Sequence, residues 1–103
     1  MIKNIKICDS TLKRAIGLMF SKPKIALLVF NKEENINLHT FFVFFNLDIY
    51  FLDKNFKVAE VRKNVKPFNF VYSKKKAKFI LEAPSGLVKF KVGKNVTNIE
   101  KFI

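Results

Sequence analysis

Hydrophobic and polar positions along this chain group into short runs that predict a strand-rich protein with one helix. Ile2, Ile5 and Ile7 interleave with Lys3 and Lys6, which predicts a half-buried first strand over residues 2–7. Asp9, Ser10 and Thr11 then supply N-cap oxygens. Leu12, Ala15, Ile16 and Met19 follow at helical spacing, with Lys13 and Arg14 turned aside. A short amphipathic helix to about Phe20 is expected, closed by Pro23.

From Ile25 to Phe30 the chain is continuously apolar, as a strand covered on both faces would be, and the polar stretch from Asn31 to Asn37 reads as an exposed loop. The most apolar part, Leu38 to Asp53, predicts strands over residues 39–45 and 47–52, or one strand bent near Asn46. Asp53, Lys54, Asn55 and Phe56 make a hairpin turn into an alternating ladder from Val58 to Val65 that has one wet face. Pro67 opens a loop running through Lys74, Lys75 and Lys76, and Ala77 to Ala83 forms the next strand, ended by Pro84, Ser85 and Gly86. The tail from Leu87 to Ile103 holds short alternating pieces around a turn at Gly93 and Lys94 and adds a final strand. The expectation is a mainly β, compact antiparallel sandwich or barrel-like domain with one short N-terminal helix, and 103 residues read as a single domain, 1–103.

Composition sharpens the compartment more than the function. Cys8 is the only cysteine, which fits a reducing compartment and excludes an internal disulfide, and with a single histidine it leaves no zinc cage. The first ten residues lack the apolar core of roughly 7 to 15 residues of a signal peptide, and the longest apolar run is shorter than the roughly 20 residues that span a bilayer. A cytoplasmic protein with no membrane insertion is expected. The net charge of +12 invites binding to nucleic acid or another polyanion. Lys, Asn, Ile and Phe, however, fill about half the chain and share A/T-rich codons, and only Arg14 and Arg62 are arginines.

A series of short pieces, in order, resembles the domain-of-unknown-function family 192, also known as uncharacterised protein family 0127. Its carriers are Arg14, Gly17, Leu18 and Met19; His39 to Phe42; Leu47 to Asp53; Tyr72 and Ser73; then Ala77 with Phe79 to Gly86. The likeness covers roughly residues 10–96 and implies a compact β-sandwich or barrel-like fold, with no biochemical activity attached. Three departures bear on any site. The family's Met, basic residue and Pro ahead of its aspartate are here Val43, Phe44, Phe45 and Asn46, and its hairpin glycine is Phe56. The acidic residue of its late Gly-Asp pair is Lys94.

The polar exceptions inside apolar runs are where chemistry could sit. His39 is the one side chain whose ordinary titration lies near neutrality, with Thr40 beside it. Asp48 lies within a run apolar on both faces and needs a partner such as Arg14, His39 or backbone amides. Glu82 repeats that theme and, by strand alternation, shares a face with Lys78 and Ile80. No arrangement of Ser, Cys, His and Asp matches a catalytic triad, so no catalytic, metal-ligating or cofactor-binding residue is assigned. The favoured function is an accessory module binding a small ligand or protein partner through Arg14, His39, Thr40, Asp48 and Glu82. The alternatives are a polyanion surface at Lys74, Lys75, Lys76 and Lys78, flanked by Phe70 and Tyr72, and a hydrolase using His39 with a carboxylate.

Overall fold

The computed structural model describes residues 5–96. Its strands are β1 (Lys6–Cys8), β2 (Ala26–Glu34), β3 (Asn37–His39), β4 (Leu47–Leu52), β5 (Val58–Val65), β6 (Phe70–Tyr72) and β7 (Ala77–Pro84), and its helix is α1 (Thr11–Ile16). Five strands make one sheet in the order β1-β2-β7-β4-β5, and β3 pairs with β6 in a separate ribbon. The fold is mainly β, as expected, and the large sheet stays open at its β1 and β5 edges. All pairings are antiparallel except β1 with β2, whose parallel alignment requires the crossover that residues 9–25 provide.

The sheet has two buried faces, and strand alternation decides what each carries. On the first face lie Cys8, Ala26, Leu28, Leu47, Ile49, Phe51 and Ile80, covered by Leu18, Ile36, Leu38, Val43 and Val71 from the crossover and the β3–β6 ribbon. On the second lie Leu27, Tyr50, Leu52, Val58, Phe79, Leu81 and Ala83, covered by Val88, Phe90 and Val96 from the segment after β7. Every residue of β4 is buried, because both faces at the centre of the sheet are covered. Truncating such a residue, for example Phe51→Ala, would cost about 3–5 kcal/mol.

Several elements differ from expectation for local physical reasons. Of the predicted first strand only its end is observed, residues 1–4 lying outside the described residues. Ser10 Oγ does cap α1, accepting the Lys13 N–H at 3.2 Å, but the helix stops at Ile16 rather than near Phe20. The stop is Gly17, held at φ +50° and ψ −118°, with its N–H on Lys13 O at 2.8 Å. The helix buries none of its residues, and Leu18, just past the glycine, is the side chain that enters the core.

The expected strand over residues 39–45 ends at His39, since Thr40 turns the chain. Thr40 is 1% exposed, its Oγ donates to Lys66 O at 2.7 Å and accepts the Asn69 N–H at 2.9 Å, and its N–H reaches Asn69 O. The stretch after Pro67, expected as loop, contains β6, and the polar stretch after Phe30 is partly strand because β2 continues past a bulge to Glu34. The Asp53 turn forms as expected, with Asp53 Oδ1 accepting from Asn55 N at 2.8 Å and Lys57 N at 3.0 Å. Of the final strand expected in the tail from Leu87, the described residues 87–96 show only an isolated bridge between Lys57 and Asn95, and residues 97–103 lie outside them.

Candidate functional site

One row across the sheet positions the site. Lys6, Ala26, Glu82 and Ile49 are successive partners on β1, β2, β7 and β4, so all four side chains leave the same face. Ala26 is small, and Gly17 has no side chain, so a hollow is left above this row. It is a cavity of about 240 Å³ bounded by Arg14, Gly17, Phe30, Asn37, His39 and Glu82, with Leu18, Leu28, Leu38 and Val43 among its apolar walls.

Glu82 is the unusual group here. It is 4% exposed, and none of the hydrogen bonds or ion pairs among the described residues reaches its carboxyl. Burial pushes its pKa up from 4.5 to about 7. A Cβ built on Gly17 would sit 3.6 Å from Glu82 Oε1, so the glycine and the carboxyl face each other across the cavity wall. Lys6 sits at the end of the same row, but its ammonium donates to Gly17 O at 2.6 Å. Lys6, Gly17 as a wall and Asn37 are not among the residues expected from sequence; the signal for Lys6 is its alternation with Ile5 and Ile7, which pack on the opposite face.

The other cavity residues are held rather than free. Arg14 Nη1 donates to Val29 O at 2.9 Å, and its guanidinium lies 4.8 Å from the centre of the Phe30 ring. His39 Nδ1 accepts the Phe41 N–H at 3.1 Å, which leaves Nε2 carrying the proton that bonds Ala15 O at 3.1 Å. Both ring nitrogens are therefore occupied, Nε2 in tying α1 to β3 and Nδ1 on the Phe41 N–H just past β3, and the imidazole presents no unengaged base for the hydrolase reading.

The five residues named from sequence separate into two groups. Arg14, His39 and Glu82 meet at the cavity. Thr40 instead knots the loop after Pro67, and Asp48 points to the opposite face, paired with Ala83 beside Tyr50 and Leu52. Asp48 Oδ1 accepts from Asn64 N at 2.8 Å and Ser85 Oγ at 3.1 Å, and Oδ2 from Gly86 N at 2.9 Å. Burial works to raise its pKa, but these donors outweigh it and hold the carboxyl below its ordinary 3.8. Asp48 thus pins the β7 exit to β5 and does not converge with Glu82.

Glu60, not singled out from sequence, does similar work. Its Oε1 accepts the Lys74 and Lys75 N–H groups at 2.8 and 2.9 Å, and it ion-pairs with Arg62. The Lys74, Lys75 and Lys76 side chains remain exposed, while Lys78 is half-buried with its ammonium 5.5 Å from the Phe79 ring centre. Burial raises the Cys8 thiol. Among the described residues no three His, Cys, Asp or Glu side chains are placed to hold a metal ion, and no helix is long and apolar enough to cross a membrane.

A large β sheet covered on both faces, with Glu82 beside a cavity, sets a fold class but no activity. Residues 2–98 match the DUF192 family, described as Uncharacterized ACR, COG1430, and this chain belongs to it. It is 42% identical over 86 residues to UPF0127 protein PH1112 of Pyrococcus horikoshii, covering 81% of this chain and 74% of that one. UPF0127 protein PYRAB11210 of Pyrococcus abyssi is 36% identical over 98 residues, covering 89% and 83%. A Sinorhizobium meliloti 1021 protein provisionally named a transcription regulator has a solved structure that superposes with a TM-score of 0.79 at 19% identity, over 86% of this chain and 76% of that one. At that identity the likeness concerns the fold.

Proposed function

We propose that this protein is a small ligand-binding module whose site is the cavity between α1, β3 and β7, with Glu82 as its polar anchor. The observation that carries this reading is a carboxyl 4% exposed and facing a 240 Å³ cavity without a protein partner among the described residues. Desolvation of that kind is costly for the charged form, and a bound cation would offset it. The fitting ligand is a small primary amine with an apolar body: its ammonium meets Glu82 and its carbon chain lies against Leu18, Leu28, Leu38 and Val43. His39 and Arg14 fix the rim by holding α1 on the sheet.

The test is thermal unfolding at about pH 8 with propylamine, butylamine or hexylamine against matched sodium chloride, where bound amine adds stability by mass action. The wild type should gain melting temperature with amine, and Glu82→Gln should not. Equal responses of the two proteins, or none in either, would refute the reading.

A further inference from the structure

A second concave surface lies along β6, whose Phe70 and Tyr72 are the cross-strand partners of His39 and Asn37 on β3. It is an open groove of about 400 Å³ lined by Arg62, Asn64, Lys66, Asn69, Phe70 and Tyr72, with Val65 and Val71 at its floor. Phe70 and Tyr72 alternate with buried Val71 along β6, so both rings stand on the outer face, 61% and 60% exposed. Their planes lie within 19° of each other at a centroid distance of 6.3 Å, and Phe41 supports Phe70 edge-on at 4.9 Å. Exposed aromatic rings of this size forgo burial that the fold could have given them.

The groove's charge is one-sided. Two cations, two amide side chains and two aromatic rings line it, and no carboxylate does. Arg62 is held in place by Glu60 beneath it and by Tyr72 O at 3.4 Å, so its charge is partly offset. Lys66 is exposed and has no ion-pair partner among the described residues. Asn69 is tethered through its amide to Lys66 O and Pro67 O at 3.0 and 3.1 Å, which orders the loop that carries the lysine.

We infer that this groove binds single-stranded nucleic acid, bases stacking on Phe70 and Tyr72 while Lys66 and Arg62 meet the phosphates. Charge complementarity selects an anionic occupant: the protein carries +12 overall and the groove itself only cations. The rings then select one with flat unpaired bases, since in a duplex the base faces are already stacked. A bilayer fits less well, because hydrocarbon laid over the groove would strip water from Asn64 Nδ2 and Asn69 Oδ1, the amide atoms without a protein partner among the described residues. This site shares no residue with the amine cavity, so either assignment can fail alone.

The experiment is fluorescence anisotropy of labelled decauridylate and decathymidylate with the full chain at about 50 and about 200 mM salt. Wild type should bind, more weakly at the higher salt. Phe70→Ala and Tyr72→Ala leave the charge unchanged and should each lower affinity roughly 5- to 150-fold, the range for losing one stacked base. Lys66→Ala should reduce the salt slope by about 1, whereas Lys89→Ala, outside the groove, should leave affinity near wild type. Tyr72 is the exposed one of two tyrosines, and Tyr50 is buried, so oligonucleotide should quench tyrosine emission in wild type. Tyr72→Phe should keep the affinity and lose that quenching, which also separates ring loss from any effect on folding. The assignment is overturned if wild type fails to bind at the lower salt, if the aromatic variants bind like wild type, or if phosphatidylglycerol vesicles bind through the same rings and the oligonucleotides do not.

Discussion

Burial leaves Glu82 with a pKa near 7 in the folded protein against 4.5 when exposed, so its protonation is tied to stability. The folded state holds the proton more tightly. Its stabilising contribution is therefore complete below about pH 4.5 and is lost as pH rises through about 7, a total of about 3 kcal/mol. Glu82→Gln should flatten that slope, and urea unfolding at about pH 5 and about pH 8 should show the variant gaining on wild type at the higher value. Asp48 runs the other way. Its lowered pKa supplies stability above 3.8 that fades as pH falls, and Asp48→Asn, which turns an amide NH2 donor toward backbone N–H donors, should cost on the order of 3 kcal/mol at neutral pH. Phe20 illustrates strain instead: it is 70% exposed at φ +56°, stacked only on Phe42 and tilted against Phe44. Replacing it with glycine removes a left-handed penalty of about 1–2 kcal/mol and should raise the denaturation midpoint.

At the scale of elements, Gly17 links the helix to the cavity. A side chain at φ +50° and ψ −118° is strained wherever space allows it, so Gly17→Ala should lose about 2 kcal/mol and shorten α1, read as lower helicity and midpoint. The strands β4 and β7 were legible in the sequence because their cores are apolar on both faces, a pattern no solvent-lapped loop can carry. Glu82's face was legible too: it shares Ile80's face, opposite Phe79 and Leu81. The three-residue strands β3 and β6 were not, since at that length alternation has no statistical weight and what ends them is a tertiary knot at Thr40. Phe56 shows the same limit. The family resemblance marked a missing hairpin glycine, and the structure puts Phe56 at φ +62°, tolerated through stacking on Phe79 at 4.3 Å, a contact across 23 residues of sequence. The meeting of Arg14, His39 and Glu82, and the exclusion of Asp48 from it, likewise depended on which strands pair and could not be read from spacing.

Over the whole molecule, 20 basic residues oppose 8 acidic ones, and the acidic groups best ordered here are already spent on backbone. Asp48, Asp53 and Glu60 each accept N–H groups from a turn or strand, so they organise loops more than they neutralise lysines. The ion pairs among the described residues are Asp9 with Lys13, an exposed contact at 3.7 Å, and Glu60 with Arg62. Lysines on loops and edges therefore repel one another across a body only 30 × 28 × 23 Å in extent, within reach of each other at low ionic strength. Unfolding relieves that repulsion by spreading the charge over a larger volume. Raising sodium chloride from about 20 to about 300 mM should screen it and increase the melting temperature by several degrees. The same salt would weaken any grip on oligonucleotide, so stability and polyanion affinity should move in opposite directions across one titration. A melting temperature flat in salt would mean that lysine stems and counter-ions already disperse the charge, and the +12 balance would then bear on association alone.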